Sequence, residues 1–197
     1  MTPLILASSS PFRRALLERL HLPFETRAPD LDETPLDGET PWQLVERLAL
    51  AKARAVAVQR SDALVIGSDQ VAVVDGAMLG KPGGHENAVQ QLHQLSGRQI
   101  IFLSGLALVK CGEKGAENRS EQSEVIPFVA HFRRLSSAQI ENYLRLEPAY
   151  GCAGAFKSEG LGIALLEKME GSDPNALIGL PLIALVRMLD NAGVHVI

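Results

Sequence analysis

Several side chains in this sequence are of the wrong type for the elements that carry them, and each could do chemistry. In "LILASSSPFRRALL", residues 4–17, Arg13 and Arg14 fall in the first turn of a helix. The backbone dipole is already positive there, and each cation costs roughly 0.3–1 kcal/mol unless an anion meets it. A strand, a small-residue turn and a helix N-terminus together form an anion site, because free backbone N–H groups point outward. Ser8, Ser9 and Ser10 add hydroxyls, and the fork of Arg13 suits phosphate oxygens. The plainer alternative is two solvated arginines beside an ordinary serine cap.

Lys52 stands in an i, i+4 row with Leu48 and Val56, so it interrupts an apolar ridge. Its stem can pack while the ammonium snorkels to water, or the charge can serve an anion. In "ALVIGSDQVAVV" a polar triplet separates two apolar runs, which places the Asp69 carboxylate at the end of a buried strand. A buried carboxylate needs partners, and such groups bind metals or take a proton from water. A turn aspartate capping local N–H groups is the alternative. "GKP" puts Lys81 in a tight turn, and Glu33 in "DLDET" is either a second carboxylate for a divalent cation or a solvated loop charge. The Walker spacing GxxxxGK is absent, as is any His–Cys–Asp triad.

The elements that must position these groups alternate between strand and helix, which indicates a mixed α/β architecture. Residues 4–7 read as a strand. Residues 11–20 read as a helix with Ser10 as N-cap and Pro11 at its first position. An acidic loop over 25–39 leads to a capping box, Thr40 with Gln43, that opens a helix to about 59. Strands are predicted over 63–67 and 71–74, a turn at Asp75–Gly76, and a helix over 85–95 closed by Gly97. Further strands follow near 99–109 and 123–133, separated by a polar loop over 112–122. A second capping box, Ser136 with Gln139, starts a helix to about 146. A glycine-rich loop or short-strand region over 150–162, a strand in "IALLEKMEG" and a last helix in "LPLIALVRMLDNAG" complete the chain. No repeat, low-complexity tract or linker divides it, so the expectation is a single domain over 1–197, with either one sizeable core or two lobes sharing a cleft.

The 197 residues are 46% apolar and 21% charged with a net charge of −4. That balance argues against nucleic acid as partner, since such binders carry a basic face, but allows a small phosphorylated ligand. Cys111 and Cys152 are far apart and lack neighbours at zinc-ligand spacing. No apolar run is long enough for a membrane span, so no membrane partner and a cytoplasmic location are expected.

Taken in order, "LILASSSPFRRALL", "DETP", "LALAKA", "IGSDQVAV", "GKP", "LSGRQIIFLSGLAL", "GAFKSEGLG" and "GLPLIAL" resemble the Maf family of nucleotide pyrophosphatases. The resemblance runs from residue 4 to about 187. It implies an α/β fold of Maf/ITPase-like type: an elongated, twisted mixed sheet in two lobes flanked by helices, with a central cleft. It implies hydrolysis of a nucleoside triphosphate to the monophosphate and pyrophosphate with a divalent metal (Mg, Mn or Co). The family is generally cytoplasmic and often forms homodimers. Its catalytic aspartate, the proton acceptor that activates water, falls on Asp69. Arg13, Lys52 and Lys81 fall on phosphate-handling positions, with Ser8 and Ser10 beside the substrate. Glu33 falls on the acidic partner, and Glu33 and Asp69 are the candidate metal ligands.

Two positions depart from the commonest family pattern: "SPFRR" has Phe12 where arginine is usual, and "EG" has Glu159 in place of glutamine. Both are similar to the YceF-type branch, whose implied substrate is 7-methyl-GTP. A methylated guanine is cationic and gains about 0.5–2 kcal/mol on an aromatic face. A carboxylate can accept from the N–H groups of its Watson–Crick edge. Phe12 and Glu159 would supply those elements, with Gln70 as a third specificity position, unless Phe12 packs into the core. Other nucleotides such as dTTP or UTP are the alternative substrates, and a nucleotide-binding regulator of cell division is the alternative of another class.

Overall fold

The computed structural model describes residues 2–60, 62–110 and 120–197. Cys111 and most of the polar segment expected over 112–122 lie outside the described residues. Strand β1 (Leu4–Ala7) is fully buried and pairs in parallel with β2 (Phe24–Thr26) and β3 (Leu64–Val74), with Leu4 opposite Phe24 on one side and Leu64 on the other. Helix α1 (Pro11–Glu18) begins where the Ser10 hydroxyl accepts from the Arg13 N–H. Helix α2 (Pro41–Ala57) opens on the expected Thr40–Gln43 box. Asp75 and Gly76, both at positive φ, turn β3 into the antiparallel β4 (Ala77–Leu79), as the favoured two-residue hairpin requires. Then come α3 (His85–Leu95), β5 (Gln99–Lys110), β6 (Ser120–Phe132), and α4 (Ser137–Leu146), which the Ser136–Gln139 box caps. Two short 3-10 turns precede β7 (Leu166–Gly171), which runs antiparallel to β6; α5 (Asn175–Ile178) and α6 (Leu182–Asn191) end the chain. The strands form one seven-stranded open sheet in the order β2–β1–β3–β5–β6–β7, with β4 paired to β3.

Two expectations need correcting. Residues 63–67 and 71–74 are not two strands but parts of the single β3, so Asp69 lies within the strand rather than at its end. The polar triplet does not break it, because Ser68, Asp69 and Gln70 each find side-chain or carbonyl partners. The start of the acidic loop pairs as β2, a three-residue strand too short to show alternation. Of the loop or short-strand alternatives for 150–162, the loop is found, with short 3-10 turns at Ala153–Ala155 and from Leu161, and α5 is a one-turn helix with no periodicity to announce it.

The chain forms two compact units, each assembled from separate stretches. The first comprises Met1–Gln70, Ser104–Ile126 and Asp173–Ile197, and the second Val71–Leu103 and Pro127–Ser172. In the first unit, Ile5, Val65, Ala107 and Val109 of the sheet pack under Ala49, Ala53 and Val56 of α2. These helix residues are small where the approach is closest. A Cβ on Gly67 would lie 2.0 Å from the Ala49 carbonyl oxygen, so the helix backbone rests directly on β3 at this point. Side chains alternate along a strand, so Gly67 and Asp69 share a face. The missing side chain at 67 lets α2 descend, and Lys52 descends with it toward Asp69. The second unit holds a cluster of Phe102, Phe132 and Phe156, ring centroids 5.6 and 5.2 Å from Phe156.

Substituting Gly67→Ala must lift α2 off the sheet. Overpacking of this kind costs about 1–3 kcal/mol or more, so urea denaturation should find the variant destabilised by at least that amount. A variant as stable as the parent would mean that α2 does not rest on β3.

Candidate functional site

The first unit brings four of the candidate residues together. Lys52 is buried, and its Nζ lies 2.6 Å from Asp69 Oδ1 and 3.0 Å from Glu33 Oε2. Lys52 does not snorkel; it projects into a small polar centre made of β3, α2 and the acidic loop. Asp69 is buried as well, while Glu33 is half exposed. A buried ammonium is tolerable only when paired and hydrogen-bonded, and the two carboxylates meet that condition. Asp69 uses one oxygen for Lys52; Oδ2 has no hydrogen bond among the described residues.

Arg13 completes the group from α1. Its Nε donates to the Gly179 carbonyl at 2.8 Å. Burial pulls its guanidinium below the ordinary arginine value, while the nearby charges of Asp69 and Glu33 push the other way. Arg14 instead pairs with Glu18 on the surface. The two awkward arginines of the helix start thus have different fates, and only Arg13 turns inward. Ser8 accepts from the Ser10 N–H at 3.1 Å and Ser10 caps Arg13 N–H, so both hydroxyls shape the turn and keep a proton to donate.

Beneath these groups lies a part of the site that the sequence did not disclose. The end of α5 leaves carbonyls without helical partners, and side chains fill them. Ser68 Oγ donates to Gly179 O at 2.9 Å, beside Arg13. Gln70 Nε2 reaches Ala176 O at 2.7 Å and Leu177 O at 3.1 Å, and Ser104 Oγ donates to Ala176 O. Gly179 sits at φ +119°, a left-handed cap that glycine adopts without strain. The "GLP" of "GLPLIAL", a glycine with a proline close behind, is the signal of a helix end that could have revealed it. Gln70, expected to select substrate, has its amide nitrogen committed to this corner.

Lys81 and Glu159 belong to the second unit. Lys81 is exposed in a turn held by Asn87, which donates to Pro82 O at 2.9 Å, and by Gln91, which donates to Gly80 O at 3.0 Å. Glu159 is exposed between the 3-10 turns. Both act electrostatically on the Cys152 thiol, which burial pushes up, so they share a neighbourhood with Lys157 and Glu147. Phe12 is exposed on α1, at 37%, and does not pack into the core.

A family model described as Maf-like protein matches residues 3–192. The chain belongs to the Maf family. A Polaromonas protein named 7-methyl-GTP pyrophosphatase is 57% identical to this Maf protein over 192 residues, covering 98% of this chain and 85% of that one. A Methylobacillus flagellatus protein of the same name is 54% identical over 197 residues, covering both chains completely. A solved nucleoside-triphosphatase / dITP/XTP pyrophosphatase from Mycobacterium abscessus is 22% identical with a TM-score of 0.40, covering 68% of this chain and 75% of that one.

Among the described residues of this Maf protein, no three or more His, Cys, Asp or Glu side chains form a metal-holding group. In the polar centre Glu33 and Asp69 converge on one ammonium. That donor set fits a hard cation such as Mg²⁺, which binds through one or two carboxylates and fills its other positions with water and phosphate oxygens. It does not fit zinc, which takes three or four protein ligands.

Breaking a buried ion pair from one side costs roughly 3–5 kcal/mol. Lys52→Met should therefore destabilise the protein by about the lower figure, since Arg13 remains near the carboxylates. The double variant K52M/D69N removes the orphaned charge and should recover about 1 kcal/mol or more in urea denaturation. Equal stability of K52M and K52M/D69N would show that the pair is not buried.

Proposed function

We propose that this protein hydrolyses 7-methyl-GTP to 7-methyl-GMP and pyrophosphate. The observation that carries the reading is 54–57% identity, over practically the whole chain, to proteins named for that reaction. The geometry of the first unit supplies a chemical route. The triphosphate lies along the start of α1, where the Ser8 and Ser10 hydroxyls and the Arg13 guanidinium meet its oxygens. Lys52 neutralises charge that develops on the anhydride, and its 2.6 Å contact with Oδ1 orients the Asp69 carboxylate. Asp69 Oδ2 accepts a proton from water as the water oxygen bonds to phosphorus. The α–β bridge bond breaks in the same displacement and pyrophosphate leaves. Glu33 and Asp69 would hold a divalent cation, which supplies charge neutralisation at the phosphate oxygens when bound.

The resemblance gives Lys81 a phosphate-handling role, and Phe12, Gln70 and Glu159 a part in base selection. Exposure of Phe12 supports stacking by a cationic base. Gln70 contributes by fixing the corner beneath Asp69, since its nitrogen is already engaged. The same proposal includes a homodimer, a cytoplasmic location, and removal of a modified nucleotide from the precursor pool. Among the described residues no helix is long and apolar enough to cross a membrane.

The test is a metal-supplemented nucleotide panel including 7-methyl-GTP, GTP, dTTP and UTP, with phosphate and pyrophosphate assayed separately. The expected result is pyrophosphate release fastest from 7-methyl-GTP, a loss of roughly 10²–10⁴ in turnover for Asp69→Asn, and a Phe12→Ala penalty larger for 7-methyl-GTP than for GTP. Preference for dTTP or UTP, or tight binding without turnover, would overturn the reading.

A further inference from the structure

Glu33 stands at the polar centre without any element to hold it. No helix or strand lies between β2 and α2, so residues 27–40 are a long irregular loop, and the Glu33 side chain is 54% exposed. Burial does not fix its position, yet Oε2 lies 3.0 Å from a buried ammonium. Loops of this length are functional or disordered unless something pins them.

The pin is Arg47, on α2 and five residues before Lys52. Its Nε and Nη2 grip Glu39 Oε1 and Oε2 at 2.5 and 2.7 Å, a two-pronged pair whose carboxylate side chain is only 7% exposed. Nη2 also donates to the Thr34 carbonyl at 3.2 Å, next to Glu33 in the chain. On the other side of Glu33, Asp32 Oδ1 accepts from the Thr34 N–H at 2.9 Å and from the Thr34 hydroxyl at 2.6 Å. Glu39 Oε2 accepts the Leu36 N–H, and the Leu36 carbonyl accepts the Glu39 N–H, both at 3.0 Å. The segment 32–39 is thus tied to itself and, through Arg47, to the helix that carries Lys52.

We propose that Arg47 is a positioning residue of the hydrolytic site: its fork to Glu39 and its bond to the Thr34 carbonyl hold the acidic loop so that Glu33 stands over Lys52. The consequence for turnover rests on the function proposed above; the consequence for the loop does not. Lysine cannot replace arginine here, since a point charge cannot make the two parallel bonds to Glu39 and the third to Thr34. The same bonds hold the Glu39 carboxyl down at about 2. Because this value lies below the ordinary carboxylate range, the clamp is complete above that range and is lost only as pH falls through about 2.

The experiment combines kinetics on 7-methyl-GTP with amide hydrogen exchange, on the full chain. Arg47→Ala should speed exchange across 32–39 and lower kcat/KM by about 10- to 100-fold, the scale of a displaced site group. Arg47→Lys should recover little of either. Glu33→Gln should lose activity with the loop intact. The double variant R47A/E33Q should be no slower than E33Q, because Arg47 acts through Glu33. Losses that multiply in the double variant, or an R47A protein with parental exchange and kcat/KM, would overturn the proposal. If R47A fails to fold, Glu39→Gln replaces it with the same expected direction in both readouts. A parent chain without turnover of 7-methyl-GTP would remove the functional reading alone, and exchange over 32–39 would still decide whether Arg47 pins the loop.

Discussion

A lysine ammonium withdrawn from water, 2.6 Å from one carboxylate and 3.0 Å from another, is the interaction around which the first unit is arranged. Desolvating such a charge is costly, and only close, well-directed partners offset it. Three otherwise unrelated features serve that end. Gly67 lets α2 rest on the sheet, β3 continues through a polar triplet so that Asp69 faces the helix, and the acidic loop brings Glu33 within reach. Each supplies one coordinate of the site: depth from the glycine, direction from the strand alternation, and the second carboxylate from the loop.

The opposite face of β3 solves a different problem with neighbouring residues. Ser68 and Gln70, on either side of Asp69, point away from α2 and satisfy the carbonyls that end α5. Arg13 joins them at the Gly179 carbonyl while standing in the field of Asp69 and Glu33. One short stretch, residues 68–70, thus presents a carboxylate on one face and a structural anchor on the other. This explains how three consecutive polar residues survive inside a buried strand.

Much of this was legible in the sequence because the signals are local. Serine before proline announced α1, the two capping boxes announced α2 and α4, and Asp75–Gly76 announced the hairpin. Lys52 and Asp69 stood out because each violates the pattern of its own element. Long-range matters were hidden. Nothing in "SDQ" says whether the strand ends there, because the answer lies in Gly179 and Ala176, more than a hundred residues away. The inward turn of Arg13 and outward turn of Arg14 likewise depend on that distant carbonyl. The role of Arg47 was invisible, since an arginine on a helix surface reads as solvated until the loop beside it is seen.

The most direct test of the central ion pair is nitrogen NMR of the lysine side chains in isotopically labelled protein. An ammonium held between Asp69 and Glu33 should give one Nζ resonance with slowly exchanging protons. That resonance should vanish in Lys52→Arg and broaden into fast exchange in Asp69→Asn. Lysine resonances that all exchange at the rate of free ammonium groups, with none removed selectively by Lys52→Arg, would contradict the buried pair and the site built on it.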